Sequence, residues 1–162
     1  MAFRSWRPLG CRTTVTETHT YRACVLSGLL VAVLLAPKDY TFLPNLAFLW
    51  LPQLAVLLLA WFSHANRLAA LAGTALAMAT YLAAFGAWLF SRPHAESLAW
   101  LGYLFSLPGA AFGVFMAAAI CEGMDPAGRM FRIASTFAGA VLVGIILNQA
   151  VLCATVLHCS LR

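Results

Sequence analysis

Five apolar stretches, at about residues 15–36, 42–62, 67–90, 97–121 and 130–157, take up most of this chain, and no Asp, Glu, Lys or Arg lies in their apolar cores. In hydrocarbon, every backbone N–H and C=O must find its partner inside the protein, and a helix does so within one segment. Roughly 20 apolar residues in a helix cross a bilayer core. The expected fold is an all-α integral membrane protein. It is a compact bundle of five transmembrane helices with short loops, and residues 1–162 form one membrane domain. Composition agrees: 63% of residues are hydrophobic, 9% are charged and mean hydropathy is +0.88. Soluble domains are roughly a quarter charged, and a water-soluble core of this size has no room for so much apolar surface.

Start and stop signals set the boundaries. Residues 1–13 form a basic cytoplasmic tail with Arg4, Arg7 and Arg12. "TVTE" (14–17) has capping-box spacing, with Thr14 accepting from an early backbone N–H and Glu17 reaching back. A helix from there runs to Ala36, before Pro37. Its apolar part, 23–36, is short, but with its polar first turns it reaches about 33 Å. A cleaved signal peptide is the rival reading, and would leave four spans. Leu34 and Ala36 make a poor cleavage pair with Pro37 following, so an uncleaved span is preferred. "RPLGC" (7–11) lacks the preceding apolar segment of a lipoprotein box.

The remaining turns are "KDYT" (38–41), "SHAN" (63–66), "SRPHAE" (91–96) and "EGMDP" (122–126). Asn66 and Asp125 suit N-caps, and Pro44, Pro93 and Pro126 suit first turns. Pro52 and Pro108 fall inside spans and should kink or interrupt them. No internal repeat of the kind that builds many transporters is visible.

The net charge of +5 does not point to nucleic acid, because the cations lie in the tail and loops that flank apolar runs. That is the pattern that sets membrane orientation. With the N-terminus in the cytoplasm, seven arginines (4, 7, 12, 22, 67, 129, 132) face inside and Lys38, Arg92 and Arg162 face outside. The expected topology is N-in/C-out, with anionic headgroups as natural partners. Trp61, Trp88 and Trp100 fall near helix ends, as interfacial anchors do. The Ala- and Leu-rich style is that of a multi-pass protein of the bacterial inner membrane.

Charge-free cores weaken a proton-coupled carrier, which uses intramembrane ionisable groups. Ser, His and Asp occur at no catalytic spacing, there is no H-E-x-x-H, and no cofactor motif is present. Of the five cysteines, Cys153 and Cys159 lie near His158, but offsets of five and six do not share a helix face. No metal site is expected there. A Cys159 thiol facing an oxidising compartment is able to pair with another chain. His19, His64 and His94 read as interfacial or loop groups. "CEGMDPAGR" (121–129) reads as a capped helix start with an Asp125–Arg129 pair.

Two ridges of small residues carry more information. Gly109, Gly113, Ala117 and Cys121 repeat at i, i+4 on the fourth span, and Thr136, Ala140, Gly144 and Asn148 on the fifth. Small residues let helices approach closely where lipid offers no hydrophobic contrast. A tight connecting loop makes these spans antiparallel neighbours, so the ridges should pack on each other rather than seam a dimer. A third ridge, Ala75, Ala79, Ala83 and Ala87, marks the third span.

Asn148 lies on its ridge, and Gln149 is turned about 100° away. Gln53, Thr80, Tyr81, Ser106 and Gln149 fall at a similar depth and form a candidate polar or partner site. An unpaired amide in hydrocarbon costs several kcal/mol, so these groups should find each other, a partner or a cavity. Asn148 is expected to fasten the fifth span to the fourth, with Gln149 the better candidate for a partner or cavity. Two functions follow as expectations. One is a non-catalytic protein acting by intramembrane packing with a membrane-protein partner or a second copy, as an accessory or assembly subunit or a protector against a membrane-active toxin. The other is a channel or carrier for a neutral or lipid-like solute.

Overall fold

A computed structural model describes residues 15–36, 38, 40–91, 99–122 and 130–157. They form six helices: α1 Val15–Leu35, α2 Phe42–Ser63, α3 Arg67–Phe90, α4 Ala99–Phe105, α5 Leu107–Cys121 and α6 Met130–Leu152. A π-helical turn, Cys153–Leu157, extends α6, and no strand occurs among the described residues. Four helical stretches are long and apolar enough to cross a membrane: Phe42–Ser63, Arg67–Phe90, Leu101–Cys121 and Met130–Thr155. The apolar part of α1, Arg22–Leu35, is shorter. Thr14 of the expected capping box, the turns that hold Pro93 and Asp125–Arg129, and His158 and Cys159 lie outside the described residues.

Helix α3 is the axis of the bundle, packed by α1, α2 and α6. Its sequence explains why. From Ala69 to Ala79 nearly every residue is buried, and most are Ala or Gly. A helix buried on most of its surface needs small side chains there if three neighbours are to approach it, and Leu76 and Thr80 mark the face left exposed. The ridge expected on this helix is divided: Ala75 and Ala79 are buried, whereas Ala83 and Ala87 are exposed. Asn66 caps the helix, its Oδ1 accepting from the Ala69 N–H at 3.4 Å.

The closest packing joins α5 to α6 in antiparallel register. A Cβ at Gly109 would collide with the Gly144 carbonyl and the Asn148 Cβ. One at Gly113 would meet the Ala140 carbonyl and the Val141 Cα, and one at Gly144 the Gly109 carbonyl. Ala117 and Cys121, further along the same ridge, are fully buried. Backbone therefore lies on backbone, and the contact energy is dispersion summed over many short approaches. A similar approach fixes α3 against α6, where a Cβ at Gly73 would strike the Ala134 carbonyl.

The fourth span is interrupted. Pro108 has no N–H for the carbonyl four residues back, and its ring crowds that carbonyl. The chain tightens just ahead of it: the Ser106 N–H bonds the Tyr103 carbonyl three residues back, at 3.1 Å, and the Ser106 hydroxyl donates to the same oxygen at 2.6 Å. The helix ends at Phe105 and restarts at Leu107. Pro52, by contrast, sits within a continuous α2.

The seam generates a paired prediction. Gly113→Leu drives a side chain into the backbone of α6, and should destabilise the bundle by about 1–3 kcal/mol or more. Gly139→Leu, where a Cβ meets nothing within 4 Å, should change stability little. Unfolding in mixed detergent micelles, followed by circular dichroism, separates the two.

Candidate functional site

The interruption at Ser106 creates the polar centre of the molecule. The last turn of any helix leaves carbonyls without intrahelical donors, and in α4 these are at mid-span. Two amides from α6 reach them. The Gln149 Nε2 donates to the Gly102 carbonyl at 2.9 Å, whose usual donor, the Ser106 N–H, has turned to Tyr103. The Asn148 Nδ2 donates to the Phe105 carbonyl. Carbonyls only accept, so each amide must present its nitrogen.

Gln149 also donates to the Tyr81 hydroxyl at 2.9 Å, which brings in α3. The Tyr81 ring stacks on Tyr103, with centroids 5.9 Å apart and planes 17° from parallel. Phe85 leans against both rings. Tyr103 is fully buried and its hydroxyl donates to the Leu49 carbonyl of α2 at 3.3 Å. Gln53, also buried, donates to the same carbonyl at 3.4 Å. Gly28 of α1 makes room for Gln53, since a Cβ there would lie 2.8 Å from its Oε1. One depth of the bundle thus links α2, α3, α4 and α6 through neutral dipoles.

The sequence-derived residues fall into three groups. Gln53, Tyr81, Ser106 and Gln149 gather around the broken helix, with Tyr103 as the link that connects them. Gly109, Gly113, Ala117, Ala140, Gly144 and Asn148 line the α5–α6 seam, and Asn148 belongs to both groups. Thr80 stands apart on the exposed face, its hydroxyl returned to the Leu76 carbonyl of its own helix at 2.8 Å. Gln149, the better candidate of the two amides for a partner or cavity, is engaged within the bundle and holds α4, as Asn148 does. The 100° between the amides is accommodated because the acceptors, Gly102 and Phe105, are themselves three residues apart along α4.

Sequence reasoning also missed His64. The ring is half-buried and lies edge-on to Phe137 at 5.8 Å. Its Nδ1 accepts from the Asn66 N–H at 3.0 Å, which leaves the proton on Nε2, 3.4 Å from the Cys121 carbonyl. The imidazole closes the α2–α3 loop onto the end of α5. Chemically, amides and backbone carbonyls order and orient through hydrogen bonds and do not ionise near neutrality. No family model matches the chain, and no match was found among curated proteins or solved structures.

Gln149→Leu strips donors from the Gly102 carbonyl and the Tyr81 hydroxyl. A loss of about 2 kcal/mol or more is expected, because the Gly102 carbonyl is left without a donor in an apolar span, and a cycle with Tyr81→Phe should show coupling between the two sites. Thr80→Val should be close to neutral in the same unfolding assay.

Proposed function

We propose that the chain is a five-span, non-catalytic protein of the bacterial inner membrane, N-in/C-out, that acts through helix contacts in the plane of the bilayer. Such a protein serves as an accessory or assembly subunit, or protects against a membrane-active toxin. The observation that carries this reading is how the mid-depth polar groups are used. Gln149, Asn148 and Tyr103 are engaged with backbone carbonyls of the bundle itself, which assigns them to fastening.

The outer side of the α5–α6 seam supports the same reading. A shallow groove of about 320 Å³ runs there, its floor at Gly113, Ala140 and Gly144 and its walls at Phe112, Met116 and Leu147. The wall residues are exposed. A helix of another membrane protein, or of a second copy, fits such a surface.

Five spans are supported by the length of α1. Its apolar part, Arg22–Leu35, rises about 21 Å, and its polar first turns carry the helix on to about 32 Å through the headgroup region, so that it crosses where the bilayer thins locally. Leu26, Leu30 and Leu34 form an exposed ridge at i, i+4, suited to lipid. Orientation is supported by Cys153, which is disulfide-bonded, whereas Cys24 and Cys121 are free thiols. Disulfides persist in oxidising compartments, which suits an outward end of α6. The second reading, a channel or carrier for a neutral or lipid-like solute, draws on the mid-span break at Ser106, since interrupted helices line many transport sites.

Gentle crosslinking in native membranes, followed by purification in mild detergent, tests the first reading. A defined partner or a dimer should be recovered, and Val143→Trp, at an exposed position beside the groove, should reduce it at least severalfold. Recovery as a lone monomer, with solute flux in liposomes that Gln149→Leu abolishes, would favour the second. The disulfide is checked by alkylation: after denaturation without reductant, Cys24 and Cys121 should be modified, and Cys153 only once the disulfide is reduced.

A further inference from the structure

We propose that the notch between the early turns of α1 and α3 binds an anionic phospholipid, its phosphate on Arg22 and one acyl chain against Val25, Leu26, Leu68 and Leu71. The notch has a volume of about 330 Å³ and is lined by these five residues. Four are aliphatic, and the fifth, an exposed arginine, lines the notch through its aliphatic stem, with the guanidinium outside the apolar lining. Hydrocarbon walls beside a single cation reproduce the two parts of a phospholipid in their natural order. The guanidinium forks onto phosphate oxygens, and the chain lies along the wall.

The surroundings extend both halves. Arg67 directly precedes Leu68, and its guanidinium lies 5.1 Å above the Trp61 ring. His19, one turn before Arg22, is exposed as well. On the apolar side, exposed Leu30 and Leu34 continue from Leu26 towards the far end of α1, giving an acyl chain a track. A partner helix fits this notch less well than a lipid does. It would cover Arg22 and need an acidic residue of its own to offset the desolvated charge. A phosphate supplies that charge at headgroup depth.

This inference rests on the reading of the chain as a membrane bundle, and the test keeps the two apart. The full chain, purified in mild detergent, is titrated with phosphatidylglycerol or phosphatidylcholine, and bound lipid is counted by native mass spectrometry. Phosphatidylglycerol should bind in preference, and excess inorganic phosphate should not displace it. Arg22→Gln should weaken binding about fivefold, the effect of about one cation near the surface, and Arg22→Lys should retain most of it. Arg132→Gln, an exposed arginine near the start of α6, should leave it unchanged. Equal binding of the two lipids, or equal phosphatidylglycerol binding by Arg22→Gln and the unaltered chain, overturns the site and leaves the bundle standing. Release of the chain from membranes into aqueous carbonate overturns the bundle reading itself.

Discussion

Where no water is available, a backbone carbonyl without a donor costs more than almost any other local defect. That penalty organises this molecule. Pro108 and the tightened turn at Ser106 open carbonyls at the end of α4, in the middle of an apolar span. The chain answers with side-chain donors from α6 rather than with solvent. A net hydrogen bond in a membrane adds only about a kcal/mol, but leaving the carbonyl bare costs several. Gln149 thus answers the Gly102 carbonyl that the turn at Ser106 releases, and Asn148 adds a donor at the Phe105 carbonyl. The Tyr81–Tyr103 stack and the Leu49 carbonyl follow from the break, since Tyr103 lies in the same last turn of α4.

The glycines of the α5–α6 seam serve the same end by setting distance. Asn148 is a short side chain, and it reaches Phe105 only because Gly109 lets α6 come to backbone contact beside it. A larger residue at 109 would push α6 away and leave the amide short of its carbonyl. Close packing and polar satisfaction are thus one arrangement, and loss of either disturbs the other. On the opposite side, Gly73 performs the same task for α3 against α6, which places Tyr81 within reach of Gln149.

Features with local causes were legible in the sequence. The second and third spans, the Asn66 cap and the interruption near Pro108 each depend on a few neighbouring residues, so periodicity and propensity reveal them. The seam was legible too, because small residues at i, i+4 have only one face to offer. What remained hidden is non-local. Gly102 and Phe105 act through carbonyls, which every residue has, so nothing in their identity marks them. Tyr103 looks like any aromatic in an apolar run until the turn at Ser106 orients it. His64 reads as a solvated loop residue because its acceptor, the Cys121 carbonyl, is 57 positions away. Depth alone grouped Thr80 with the polar set, and helix rotation removed it.

The order in which the chain emerges during synthesis gives the broken span a further meaning. A helix of seven residues, as α4 is, is too short to hold itself together by its own ladder. Its terminal carbonyls acquire donors from residues 43 and 47 positions further along. The short helix α4 thus acquires its full set of partners only when α6 is present. A chain ending before Asn148 lacks both of those donors.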